Sequence, residues 1–314
     1  YAERDALAFS TLMRKLGGAS PEHSILVQGA NASELRRTLL ETNRRIRQAQ
    51  SRGNQHNTLM VFYSGHADNL GLHMNRSKLP YDELRALVES SPASARVLIL
   101  DSCRSGGLTR VKGAQNTEAF SISAENRVQA EGLAVITSSS AWEDSHESER
   151  LKGSFFSHHL FTGLQGAADH NRDSKVTLSE VYSYAYRQTL RSSGRTRSLQ
   201  HPTYSYDIKG KGDLTLTRLS ASSRETAELT FSEPGLYLLL RGGEGGELVN
   251  EVMVDSEGAT LAMEPGSYFI QRRDSDHYLE YSAKLNSDSR VDVNTLPSRR
   301  VEYARLIRKG HDSL

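Results

Sequence analysis

Three stretches of this chain are apolar almost without interruption: 58–64 (TLMVFYS), 96–102 (RVLILDS) and 132–139 (GLAVITSS). Each has strand length and is rich in Val, Ile and Leu. A strand with one wet face alternates; an unbroken run needs cover on both faces. Residues 81–90 read as a helix between the first two runs, and helices at about 154–167 and 177–190 follow the third. Such alternation predicts an α/β class, with a mostly parallel sheet flanked by helices. Ahead of it, Ala6, Phe9, Met13 and Leu16 sit at helical spacing, and Gly17-Gly18 stops that helix. SILVQ at 24–28 reads as a short strand. Asn31 then caps a helix, with Glu34 at capping-box spacing. Arg36, Arg37, Arg44, Arg45 and Arg47 read as its solvated face.

After about residue 219 the pattern changes to short alternating strands. They are AELTF, GLYLLLR, LVNEVMV, ATLAM, SYFIQRR, YLEYSAKL and RVDVN. Two domains are expected, 1–219 and 220–314, the second a small antiparallel β-sandwich. Its halves echo each other: 233–241 (EPGLYLLLR) and 264–272 (EPGSYFIQR) share E-P-G-x-Y-x-x-x-R, offset by 264 − 233 = 31. Pro-Gly suits the central positions of a type II turn.

Charge excludes several classes. Lys plus Arg is 39 and Asp plus Glu is 38, so the net charge is 39 − 38 = +1. A nucleic-acid partner is not expected from that balance. No apolar run approaches the ~20 residues that span a bilayer, so no membrane span is expected. The single cysteine cannot form an internal disulfide.

That cysteine carries the chemistry. VFYSGHAD puts His66 just past the first apolar run, and LILDSCRSGG puts Cys103 just past the second. Sites in open α/β sheets form beyond the carboxyl ends of strands. The separation, 103 − 66 = 37, accommodates one crossover helix. An imidazole near a thiol takes its proton or stabilises the thiolate. The amides of Gly65 and Cys103 are the candidate oxyanion donors.

FYSGHAD followed by LILDSCRSGG resembles the caspase-fold cysteine peptidases. The D-S-C-x-S-G form at 101–106 is closer to metacaspases and other bacterial members than to animal caspases. The resemblance covers about residues 1–215. It implies a Cys–His dyad with Cys103 as nucleophile and His66 as acid/base. Acidic residues beside the dyad hold a basic substrate side chain in metacaspase-like members. Asp101 matches one such position, and Asp144, in the acidic loop after the third strand, is the second choice. The resemblance implies cleavage after Arg, with Lys second; the loop after Cys103 reads either as an ordinary loop or as a site of self-cleavage at Arg110 or Lys112. The fold of that family opens with a core strand, which is expected to be missing before Tyr1.

Residues 169–180 (DHNRDSKVTLSE) place Asp169, Asn171, Asp173 and Glu180 at positions 1, 3, 5 and 12 of an EF-hand-like loop. Ser174 stands where that loop has glycine. The competing reading is a tight turn with Thr177 and Glu180 as a capping box. His158 and His159 are adjacent on a helix, point about 100° apart and read as structural.

The expected function is a cysteine endopeptidase acting on a protein or peptide, with no cofactor required and calcium as an optional ion. A different class stays open: a scaffold that senses an activating ligand or partner through its second domain. The lone cysteine favours a cytoplasmic home. A chain beginning at Tyr1 rather than Met implies processing, which leaves a periplasmic or secreted one open.

Overall fold

A computed structural model describes residues 1–102, 131–140, 147–149, 151, 153–194, 196, 199–209, 213–219 and 226–303. The chain divides into two compact units, Tyr1–Ser223 and Arg224–Leu314.

The first unit opens with α1 (Ala2–Lys15) and α2 (Ala32–Ser51). The expected capping box starts α2: Asn31 Oδ1 accepts from the Glu34 amide at 3.0 Å, and Glu34 Oε2 accepts from the Asn31 amide at 2.8 Å. Next come β1 (Thr58–Ser64), a hairpin of β2 (Gly71–Met74) and β3 (Ser77–Pro80), α3 (Tyr81–Glu89), β4 (Ala95–Asp101) and β5 (Glu131–Thr137). The short pair β6 (Glu147–Ser148) and β7 (Gly153–Ser154) leads into α4 (Phe155–Thr162). Then follow β8 (Lys175–Thr177), α5 (Leu178–Ser193), β9 (Thr203–Lys209) and β10 (Thr215–Arg218).

The main sheet has the order β1-β4-β5-β9. β1, β4 and β5 are parallel and β9 is antiparallel to β5. Successive residues of β4 face opposite ways. Val97 and Ile99 pack with α1, α4 and α5, while Leu98 and Leu100 pack with α2, the β2–β3 hairpin and α3. The unbroken apolar run is thus explained by two covered faces.

Two local expectations need correction, and one element was not anticipated. Residues 24–28 form no strand, and Ile25 and Leu26 are 45% and 38% exposed. A strand needs a ladder partner, and none pairs with this run among the described residues. The helix expected over 154–167 is regular only to Thr162. It continues as a π turn, Gly163–Ala167, with Gly166 at φ 127°. The β2–β3 hairpin was not anticipated: it turns through Asn75 and Arg76, both at positive φ, without the glycine that marks such turns.

The second unit holds β11 (Ala227–Phe231), β12 (Gly235–Arg241), β13 (Glu247–Val254), β14 (Ala259–Met263), β15 (Gly266–Arg273), β16 (His277–Leu285), β17 (Arg290–Asp292) and β18 (Ser298–Glu302). They form a three-stranded sheet, β14-β11-β17, and a five-stranded one, β13-β12-β15-β16-β18. Pairing is antiparallel except between β11 and β17.

The sequence echo is a physical two-fold. Leu239 pairs with Ile270, and 270 − 239 = 31, so equivalent residues face each other across the β12–β15 ladder. Tyr237 donates to the Glu233 carbonyl at 2.9 Å, and Tyr268 donates to the Glu264 carbonyl at 2.7 Å. The arginines cross over: Arg241 pairs with Glu264 and Arg272 with Glu233. The expected type II turns are absent. Gly235 and Gly266 both have φ 153° rather than the ~80° of that turn. Each opens a strand directly instead of rounding a corner.

Candidate active site

β1 and β4 are neighbours, parallel and in register, with Ser64 opposite Asp101. The crossover between them contains α3, as the spacing required. His66 lies two residues beyond Ser64 and is exposed. Cys103 lies two residues beyond Asp101 in sequence and falls outside the described residues, as do Arg110, Lys112 and Asp144.

The backbone at His66 is held from two sides. Its carbonyl accepts from the His73 amide at 2.9 Å and from the Tyr63 hydroxyl at 2.9 Å. Burial pushes the Tyr63 phenol up to about 12, so it stays a neutral donor at ordinary pH. Asp68 braces the same loop. Its Oδ1 accepts from the amides of Leu70 and Gly71 at 2.8 and 3.2 Å, and its Oδ2 meets Lys78 Nζ at 2.6 Å and His73 Nε2 at 2.8 Å. These bonds, Lys78's first, hold the Asp68 carboxyl well below the usual carboxylate range.

The oxyanion role expected of Gly65 needs correction. Its amide donates to the Asp101 carbonyl at 3.1 Å, which continues the β1–β4 ladder by one rung. That donor is already engaged. Gly65 is required for another reason: its φ is 157°, and a Cβ there would lie 2.6 Å from the Tyr63 hydroxyl oxygen.

Beneath the two strand ends lies an acidic pair. Asp101 is 4% exposed, and its carboxylate accepts from the hydroxyls of Ser154 and Ser157. Asp5, from α1, is 7% exposed. Burial, then repulsion by Asp101, pushes the Asp5 carboxyl up to about 7, while the N-terminus and Arg4 offset only part of this. Ser64 Oγ donates to Asp5 Oδ2 at 3.4 Å. Gly153 leaves room for Asp5, since a Cβ there would stand 3.0 Å from Asp5 Oδ1. Glu147, at the end of the acidic run, pairs through its backbone with Ser154 in β6 and β7. Asp5 was missed by sequence reasoning. The signal was its spacing: it stands four residues before Phe9, on the buried stripe of α1.

The loop from Asp169 to Glu180 is closed by its own backbone. Asp169 accepts from the amides of Asp173 and Ser174 at 3.2 and 3.0 Å, and Asn171 accepts from the amide of Asp173 at 2.9 Å. Ser174 takes φ 61° where an EF-hand loop has glycine. Glu180 and Thr177 form the capping box of α5. Among the described residues, no group of three or more His, Cys, Asp or Glu is placed to hold a metal. His159 is buried and meets Ser192 Oγ through Nε2 at 2.8 Å. Desolvation keeps it well below the usual histidine range, so it packs as a neutral ring. No helix of the described residues is long and apolar enough to cross a membrane.

Comparison with known proteins places these features in context. The family model described as the caspase domain, a peptidase family, matches residues 1–211. Among solved structures, caspase-1 from Spodoptera frugiperda is similar at 14% identity, covering 69% of this chain and 81% of that one, with a TM-score of 0.43. A search of curated proteins finds no match.

Proposed function

The chain belongs to the caspase-domain family of peptidases, and from that premise we propose that it is a cysteine endopeptidase cutting after Arg or Lys. The observation that carries this reading is the in-register pairing of β1 with β4 at Ser64 and Asp101. The two candidate catalytic residues follow these partners by the same two positions.

In the proposed reaction the Cys103 sulfur attacks the scissile carbonyl carbon. His66 holds the thiol proton and delivers it to the leaving amine as the C–N bond breaks. Water then attacks the thioester, His66 takes its proton, and the thiolate is released. The Cys103 amide is the proposed donor to the oxyanion.

The acidic pair supports the preference for a basic side chain. Burial and repulsion between the two carboxylates push Asp5 up to about 7, and a guanidinium set beside them would relieve both, bidentately where geometry allows. Asp5 therefore joins Asp101 in the proposed pocket, with Asp144 as a third contributor from the acidic loop. The same preference turned inward would cut the chain at Arg110 or Lys112. The second unit is proposed to serve recognition or regulation by a ligand or partner.

The deciding experiment offers fluorogenic peptides ending in Arg, Lys, Asp or a neutral residue to wild type and Cys103→Ala. Turnover after Arg, lost in the variant, is the expected result. Turnover after Asp alone would keep the nucleophile and remove the acidic pocket. Equal turnover in the Cys103→Ala protein would remove the mechanism. Mass spectrometry of the wild type should find new ends at Arg110 or Lys112 that the variant lacks.

A further inference from the structure

We infer that Ser138 is a positioning residue for the nucleophile: its hydroxyl grips both backbone groups of Ser102, the residue bonded to Cys103. This rests on the proposed role of Cys103.

The last regular backbone rung between β4 and β5 is the Ser138 amide donating to the Leu100 carbonyl at 2.9 Å. In a parallel ladder the next rung would run from the Ser102 amide to the Ser138 carbonyl. It does not form. The Ser138 carbonyl is turned to Gln200, whose Nε2 donates to it at 2.7 Å. The Ser102 amide instead donates to Ser138 Oγ at 3.1 Å. That hydroxyl in turn donates to the Ser102 carbonyl at 3.2 Å, and Ser139 Oγ reaches the same carbonyl at 3.3 Å. Thr137 Oγ1 donates to the Ser139 carbonyl at 3.1 Å, which braces the turn from inside. Ser102, Ser138, Ser139 and Gln200 are all buried.

Side chains thus replace backbone where the two strand ends part. A trans peptide is planar, with its N–H opposed to its C=O. Whatever fixes the Ser102 carbonyl therefore fixes the direction of the next amide, the one proposed to hold the oxyanion. Donors aimed in advance at developing charge lower the barrier without tightening substrate binding. The latch belongs to the chemical step, so its loss is read in kcat.

The test compares wild type, Ser138→Ala, Ser138→Thr and Ser139→Ala in the full chain. Two readouts are taken: kcat and KM on an Arg peptide, and the rate of iodoacetamide alkylation against pH. Cys103 is the only cysteine, so alkylation reports on it alone. Ser138→Ala is expected to lower kcat about 10- to 100-fold, the penalty of roughly 1 Å of misplacement, with KM within about twofold. It should also slow alkylation near neutral pH, while unfolding stays cooperative. Ser138→Thr keeps the hydroxyl and should recover most of both. Turnover and alkylation in Ser138→Ala within about twofold of wild type would overturn the latch. Should Ser138→Ala fail to fold, Ser139→Ala loses one bond to the same carbonyl, and an unchanged kcat there overturns it equally. A His66→Ala control separates the two ideas. Alkylation that depends on His66, while turnover and alkylation in Ser138→Ala both stay within about twofold of wild type, sinks the latch alone. Alkylation indifferent to His66 and equal to that of the unfolded chain sinks the dyad, and the latch with it.

Discussion

Asp5 occupies the buried stripe of α1 with Phe9, Leu12 and Met13. Its folded carboxyl is raised to about 7 from an ordinary 3.8. Between those values the native state keeps a proton that the unfolded state has released. Its contribution is therefore complete below about 3.8 and is lost as pH climbs through about 7. Asp5→Asn removes the titration and keeps the shape. Denaturant unfolding at pH 5 and pH 8 should show a flatter profile for the variant and a gain at pH 8 of at most about 4 kcal/mol. The same change should lower kcat/KM for Arg peptides, because the carboxylate proposed to receive the guanidinium is gone. Parallel pH profiles for the two proteins would reject the buried-pair account. The candidate site was legible in sequence as two neighbouring strand ends, where Ser64 and Asp101 pair and His66 follows. Asp5 was not, because one carboxylate on an apolar helical stripe reads as a break in the pattern. Ser138 was hidden differently. A serine after a strand looks like the start of a loop, and only the parting of β4 and β5 shows what its hydroxyl spans.

At the scale of elements, β1, β4 and β5 were legible because burial on both faces leaves an unbroken apolar run. In β4, Val97 through Leu100 are fully buried. Leu98→Ala should therefore cost about 2–5 kcal/mol, seen as a lower denaturation midpoint with an unchanged denaturant slope. A loss under about 1 kcal/mol would mean that the face between β4 and the α2–α3 side collapses to fill the gap. β9 escaped notice because Tyr204, Tyr206 and Asp207 interrupt its apolar character, and its register against β5 is set by tertiary pairing alone. The run at 24–28 misled for the opposite reason. Ser24, Ile25, Leu26 and Val27 suit a strand, yet strand character is completed only by a neighbour. The π turn at Gly163–Ala167 was invisible because Leu164 and Ala168 keep the helical stripe through it.

At the scale of the whole chain, each unit carries its own buried apolar residues. Those of the second include Leu229, Phe231, Tyr237, Leu239, Leu261 and Ile270. Residues 224–314 made alone should consequently unfold cooperatively on heating, with the near-ultraviolet signal of packed tyrosines. A broad, non-cooperative melt would show that the unit borrows stability from the rest of the chain. The repeat was legible as E-P-G-x-Y-x-x-x-R, but its geometry was not, since a spacing of 31 is equally compatible with stacked copies and with facing ones. The crossed pairs, Arg241 with Glu264 and Arg272 with Glu233, decide for facing. Half of such a unit is not a smaller version of it. A lone repeat would carry an arginine and a glutamate whose crossed partners lie in the other copy, although Arg272 also meets Asp274 of its own half at 3.6 Å. The unit is in that sense a homodimer written along one polypeptide, and a change at either crossed pair is felt in both halves.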